Sequence, residues 1–502
     1  MPIQAALIGG REWGACREGS SARLPLRVEA GAAVRRRSTE RHGVDNRAPD
    51  PEPTMAEAQD TLHRLRTGQL TGATRLDLRA GLTAVPDEVF ALADTLEILD
   101  LSGNAIDHLP PDLHRLRRLR VLFCSENRFT ELPAVLGRCE RLEMVGFRAN
   151  RIARVEPSSL PPALRWLILT DNRIEHLPDA IGRCTGLRKL MLSGNRLQRL
   201  PDGLSGCRGL ELLRAAANRL DSLPDWLLDL PALAWLGVGG NPVSASLPAL
   251  APTVSRPIAS IPWESLDLAG RVGEGASGVL WRATWRCSGA APLPVVVKLY
   301  KGALTSDGWA EDEIAACLRA GPHPNLVLCH GRIEGHPDGA VGLVMAPVDG
   351  AESLAAPPSL ASCTRDVYPD ASRFEWSDLR ALAHGAAAAL AHLHARGLLH
   401  GDLYAHNLLW NRESSAVHLC DFGAASVIPT DVRRRQAIER TDVRAFGHLL
   451  EELVQRLPSA QRSGEAASAL MALVSLCRAA GPAQGLGMAE IEIELRRIVP
   501  AL

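Results

Sequence analysis

The sequence predicts two folded units of different class: an α/β solenoid of short repeats over residues 55–250 and an α+β domain over residues 264–502. Three observations predict it. Asparagine recurs at 104, 127, 150, 172, 195, 218 and 241, a period of 22 or 23 residues. The period stops in a Ser/Ala/Pro-rich stretch from Ser244 to Ser260, which marks a linker, placed at 251–263. Beyond it, glycine-rich, lysine-bearing and acidic motifs follow one another in a fixed order. A chain of 502 residues also exceeds what one ordinary core organises.

Each repeat reads as a short strand and a turn. One copy runs Leu99-x-Leu101-x-x-Asn104-x-Ile106-x-x-Leu109-Pro110. Alternate apolar residues make a half-buried strand, and an asparagine at the turn can satisfy backbone groups of neighbouring coils. No copy buries its apolar face alone, so the array needs its neighbours. A first, irregular copy from Leu76 to Pro86 lacks the asparagine, as capping repeats do. These about eight copies resemble leucine-rich repeats, which implies a horseshoe. Its concave strand positions, among them Phe123, Trp166, Met191 and Trp235, then form an apolar stripe suited to a protein partner. The same stripe equally suits packing against the second unit or another copy of the chain.

Composition excludes several functions. Hydrophobic residues are 46%, charged residues 23% and the formal net charge is −1, which gives nucleic acid or a membrane surface no electrostatic handle. The 11 cysteines show no C-x-x-C pair and read as thiols in a reducing compartment. Cys139, Cys184 and Cys207 hold one place in successive repeats, which indicates core packing. Residues 1–54 are rich in Arg, Gly, Ala and Pro without periodicity, which predicts disorder or a start upstream of the true one, with Met55 the alternative start. With no signal sequence or membrane span in view, a cytoplasmic location is expected.

The second unit opens on Gly273-Glu274-Gly275-Ala276-Ser277-Gly278 between two strand-like runs, a hairpin whose glycines let backbone amides approach phosphate oxygens. Val295-Val296-Val297-Lys298 follows, and the chain has only three lysines, Lys189, Lys298 and Lys301. A helical segment carries Glu313. Gly342 to Val348 reads as a buried strand. His400-Gly401-Asp402-Leu403-Tyr404-Ala405-His406-Asn407 and then Asp421-Phe422-Gly423 complete the series. This ordered set resembles the protein kinases, a bilobal α+β fold. The resemblance implies ATP and Mg²⁺ as cofactors and a Ser/Thr protein kinase activity. It assigns Asp402 to the acceptor hydroxyl, Lys298 and its partner Glu313 to the phosphates, and Asn407 and Asp421 to the metal. It assigns Val272, Gly273, Gly275, Gly278, Leu280, Met345, Ala346 and Val348 to the nucleotide, with Met345 at the gatekeeper position.

Departures from the family pattern are as informative. Gly401 replaces the arginine that usually precedes the catalytic aspartate, Tyr404 stands where a phosphate-contacting lysine is usual, and only 21 positions separate Asp421 from Asp442. The activation segment is therefore shortened and its A-P-E motif absent. Two other readings stay open at this point: a small-molecule phosphotransferase, which also uses His-Gly-Asp, and an ATP-binding pseudokinase scaffold.

Overall fold

The computed structural model describes residues 8–9, 55–245, 260–275, 277–287, 289–370, 372–429, 431–479 and 485–499. The expectations for residues 1–54 lie outside the described residues, apart from a two-residue strand, Ile8–Gly9, parallel to Val348–Asp349. So does the linker expected at 251–263, up to residue 259.

The repeat half begins with helix α1 (Met55–Arg66), whose Leu65 joins the repeat core. Eight parallel three-residue strands then pair in chain order: β1 (Arg75–Asp77), β2 (Ile98–Asp100), β3 (Val121–Phe123), β4 (Met144–Gly146), β5 (Trp166–Ile168), β6 (Lys189–Met191), β7 (Leu212–Arg214) and β8 (Trp235–Gly237). The register stacks Leu76, Leu99, Leu122, Val145, Leu167, Leu190, Leu213 and Leu236 in one line, all buried in the core.

The asparagines do what their spacing implies. Asn127 Oδ1 accepts from the Ile106 amide at 2.9 Å while its Nδ2 donates to the Leu101 carbonyl at 2.8 Å. Asn172, Asn195, Asn218 and Asn241 repeat the pattern. The residue before each asparagine lies in the left-handed region: Gly103, Gly194 and Gly240, but also Glu126, Ala149, Asp171 and Ala217. At those four the ladder of asparagine bonds holds a conformation that L-residues disfavour.

In the second half, a six-stranded sheet runs in the order β9-β13-β14-β12-β11-β10. Its strands are β9 (Ser260–Pro262), β10 (Leu266–Glu274), β11 (Gly278–Trp285), β12 (Leu293–Tyr300), β13 (Cys329–Glu334) and β14 (Gly342–Met345). The sheet thus starts before residue 264. Ile261 is the reason: it is fully buried in the sheet's own apolar cluster and pairs with Ile333. Helix α2 (Ala310–Ala320) packs on this sheet. Below lie α3 (Trp376–Ala395), α4 (Val432–Gln455), α5 (Glu465–Arg478) and α6 (Met488–Ile498), around Leu390, Phe446, Leu450 and Leu470. Among the described residues no helix is long and apolar enough to cross a membrane.

The two halves share apolar cores. Leu212, Ala234 and Trp235 of the last repeats belong to the helical core of the second half, and Leu399, Ile428 and Ile438 of the second half belong to the repeat core. This corrects one expectation. Trp235 is not a partner-facing residue of the concave stripe: it is 1% exposed, stacked on Tyr404 at 4.4 Å and 4°, because the second half covers that end of the horseshoe. Met191 also packs against the second half's core. Phe123 and Trp166 remain half-buried.

Candidate active site

The cleft between sheet and helices gathers the motifs. Val272 and Gly273 lie on β10, Gly278 and Leu280 on β11, and the Gly275 amide closes the hairpin on the Gly278 carbonyl at 2.9 Å. Gly278 has no room for a side chain, since a Cβ would sit 2.6 Å from the Leu299 carbonyl oxygen. Lys298 sits on β12 directly opposite Leu280. Met345 ends β14, paired with Val296 and Cys329; the Ala346 amide donates to the Leu328 carbonyl at 2.9 Å. Val348 is buried and in register with Ile8.

Lys298 and Glu313 form a buried ion pair, Nζ to Oε1 2.5 Å, with side chains 2% and 4% exposed. Burial works against the ammonium, yet Glu313 and Asp421 outweigh it and hold Lys298 above its ordinary value. Lys298, Glu313, Met345, Asp421 and Phe422 line one small cavity of about 10 Å³. The sequence places these five up to 124 positions apart, so their meeting is a product of the fold.

Below the sheet, the segment from His400 to Asn407 is pinned from beneath. Asp442 on α4 is fully buried and accepts from the amides of His400 and Gly401, both at 2.9 Å, with His394 Nε2 at 3.0 Å. Burial pushes its carboxyl up, but these bonds more than offset it and hold it below the usual range. The His400 ring meets Phe422 edge-on at 5.4 Å. Asn407 Nδ2 donates to Asp402 Oδ2 at 3.0 Å and to the Asp402 carbonyl at 2.9 Å, which fixes the amide's orientation. Asp421 takes a left-handed φ of 63°, and its Oδ1 accepts from the Gly423 amide at 3.2 Å. Among the described residues no group of three or more His, Cys, Asp or Glu side chains could hold a metal by itself. A carboxylate and an amide oxygen are nevertheless the hard donors that suit Mg²⁺ shared with phosphates.

Sequence reasoning missed contacts around the His400–Asn407 segment and across the boundary of the two halves. Arg214 of β7 donates from Nη2 to Asp402 Oδ1, from Nη1 to the Gly401 carbonyl at 3.0 Å, and from Nε to Asp307 Oδ1 at 2.8 Å. Trp235 Nε1 donates to the Leu403 carbonyl at 2.9 Å. Asp366 accepts from His406 Nδ1 at 2.6 Å. Burial works against the His406 imidazolium, but Asp366 prevails and raises its pKa. Arg444 on α4, which burial lowers to about 10, donates to the Leu233 carbonyl at 2.9 Å. No local motif announces contacts that join positions up to 211 apart.

Both departures in the loop now have a physical cause. Gly401 has a φ of 71°, and a Cβ there would lie 2.3 Å from the Leu236 carbonyl oxygen of β8. Tyr404 is the stacking partner of Trp235. The short connection from Gly423 to α4 contributes β16 (Ser426–Val427), paired with β15 (Leu398–Leu399), and leaves the space above it to the repeats.

Comparison with known proteins finds matches to both halves of the chain. The family described as protein tyrosine and serine/threonine kinase matches residues 266–475, and leucine-rich-repeat families match 95–116 and, in overlapping copies, 140–243. Serine/threonine-protein kinase CTR1 of Arabidopsis thaliana is 26% identical over 273 residues, which is 44% of this chain and 31% of that protein. Mitogen-activated protein kinase kinase kinase 7 of Drosophila melanogaster is 29% identical over 171 residues, 34% of this chain and 23% of that protein. A Dictyostelium discoideum protein described as a "probable inactive serine/threonine-protein kinase", roco10, is 36% identical over 93 residues, 18% of this chain and 3% of that protein. The chain therefore spans less than a third of the length of these relatives.

Proposed function

We propose that this chain, in which leucine-rich repeats are followed by a protein kinase domain, transfers the γ-phosphoryl group of ATP to a serine or threonine hydroxyl of a protein. The observation that carries the reading is the buried Lys298–Glu313 pair sharing one cavity with Asp421. A lysine and its carboxylate are expensive to bury, and the geometry is the one a phosphate-binding lysine needs.

In this reading the hairpin from Val272 to Leu280 covers the nucleotide, Met345, Ala346 and Val348 border the base, and Lys298 holds the α- and β-phosphates. Asn407 and Asp421 would hold Mg²⁺, which neutralises charge on the phosphates when bound. Asp402 receives the acceptor's hydroxyl proton. The acceptor oxygen forms its bond to the γ-phosphorus while the bond to the β–γ bridging oxygen breaks, and ADP departs with that electron pair. Asp402 keeps 18% of its side chain accessible. Phe123 and Trp166, the half-buried part of the concave stripe, are the proposed surface for the protein partner; Lys189 Nζ lies 4.2 Å from the Trp166 ring centre. The relatives named as serine/threonine kinases support the choice of acceptor.

The test is incubation of the full chain with γ-labelled ATP and Mg²⁺, alone and with histone H1, beside Asp402→Asn. Label on protein that disappears in the variant supports the reading. Nucleotide binding without transfer would replace it with a scaffold.

A further inference from the structure

We propose that Arg214, a residue of the repeat half, is a positioning residue for phosphoryl transfer, clamping the Asp402 carboxylate across the boundary between the two halves. The inference rests on the kinase reading above and adds a component from outside the kinase domain.

Three observations carry it. First, the guanidinium is spent entirely on the catalytic segment and its surroundings. Its three nitrogens engage Asp307, the Gly401 carbonyl and Asp402, and the side chain is 2% exposed. A planar fork of fixed N–H donors imposes direction on a carboxylate, which a flexible ammonium does not. Second, Asp402 is held from both sides: Oδ1 by Arg214 and Oδ2 by Asn407 Nδ2. The aim of the carboxylate is thus set jointly by the residue proposed for the metal and by the repeat arginine. Third, the segment His400–Asn407 has no lysine or arginine of its own, and its shape is fitted to the repeats. Gly401 accommodates the Leu236 carbonyl, the Leu403 carbonyl accepts from Trp235, and Tyr404 stacks on Trp235.

The contact is built and not incidental. Burying an arginine without partners is prohibitive, and here two carboxylates, Asp307 and Asp402, compensate it. The shared apolar cores on either side make the seat of Arg214 a fixed part of the fold, since a large hydrophobic interface opposes relative domain motion. Asp307 precedes α2, so the same guanidinium also ties the loop leading to Glu313 to the catalytic segment. Positioning matters because a small misplacement of a reacting group lowers the rate steeply while leaving nucleotide affinity alone.

The experiment compares kcat and the KM for ATP in the full chain and in Arg214→Gln, Arg214→Lys and Asp307→Asn, with γ-labelled ATP and histone H1. In Arg214→Gln kcat should fall by about tenfold to a hundredfold with the KM for ATP unchanged. Arg214→Lys should recover part of that loss. Asp307→Asn, which weakens one of the bonds that seat Arg214 and leaves its Asp402 contact, should lower kcat by less than Arg214→Gln does. Equal losses in Asp307→Asn and Arg214→Gln would reduce Arg214 to a docking residue and overturn the proposal. So would a kcat in Arg214→Gln equal to or above wild type, the latter making Arg214 an inhibitory clamp. A wild-type chain with no Asp402-dependent transfer overturns the kinase reading itself, and the inference with it.

Discussion

Two buried cations flank the cleft, and they arise in opposite ways. Lys298 lies on β12 and meets a glutamate of α2 fifteen positions later in the chain. Arg214 arrives from a different architecture and meets Asp402 across 188 positions. Both are at most 2% exposed, and both are compensated by carboxylates on a second element. The difference teaches that a local series of motifs can specify one side of a cleft, while the other side is completed by whatever domain is folded against it.

The largest effect expected from breaking the first cation is on chemistry. Lys298→Met should lower the rate of γ-phosphate transfer by about a hundredfold or more, read from single-turnover rates with saturating Mg²⁺ and ATP. Trp235→Ala attacks the seat of the second cation. It removes a ring buried in the other half's core and leaves the Leu403 carbonyl without its donor, so the denaturant midpoint should reflect a loss of about 3–5 kcal/mol. A loss no greater than that of an exposed residue would show that the halves are merely adjacent.

Gly401→Ala should destabilise by about 1–3 kcal/mol, from a left-handed φ and the collision with the Leu236 carbonyl. Its thermal transition should drop accordingly. Phe123→Ala, in the same horseshoe but clear of the second half's core, should change stability by no more than about 1 kcal/mol and leave transfer by the chain alone unchanged. An equal fall in Phe123→Ala and Trp235→Ala would erase the contrast between the two ends of the stripe.

The repeat strands were legible because burial of alternate apolar residues and the asparagine turn act within one coil and recur. The pairing of Lys298 with Glu313 was legible because both lie in one ordered series of motifs. Other features were not. The left-handed residues at Glu126, Ala149 and Ala217 escape reading, since glutamate and alanine, unlike glycine or aspartate, do not advertise that conformation. Gly401 reads as a missing arginine until Leu236 is seen against it. Arg214 occupies a strand position that is variable from copy to copy, Phe123, Gly146, Ile168 and Met191 standing at the same place in other repeats. Its meaning depends on what docks there, and that is decided by tertiary packing.

The measurement closest to the centre of this account is scanning calorimetry of the full chain. Shared cores and the buried contacts of Arg214, Trp235 and Arg444 predict one cooperative unfolding transition, with calorimetric and van't Hoff enthalpies in agreement. Two transitions, the second unmoved when Trp235→Ala shifts the first, would contradict it.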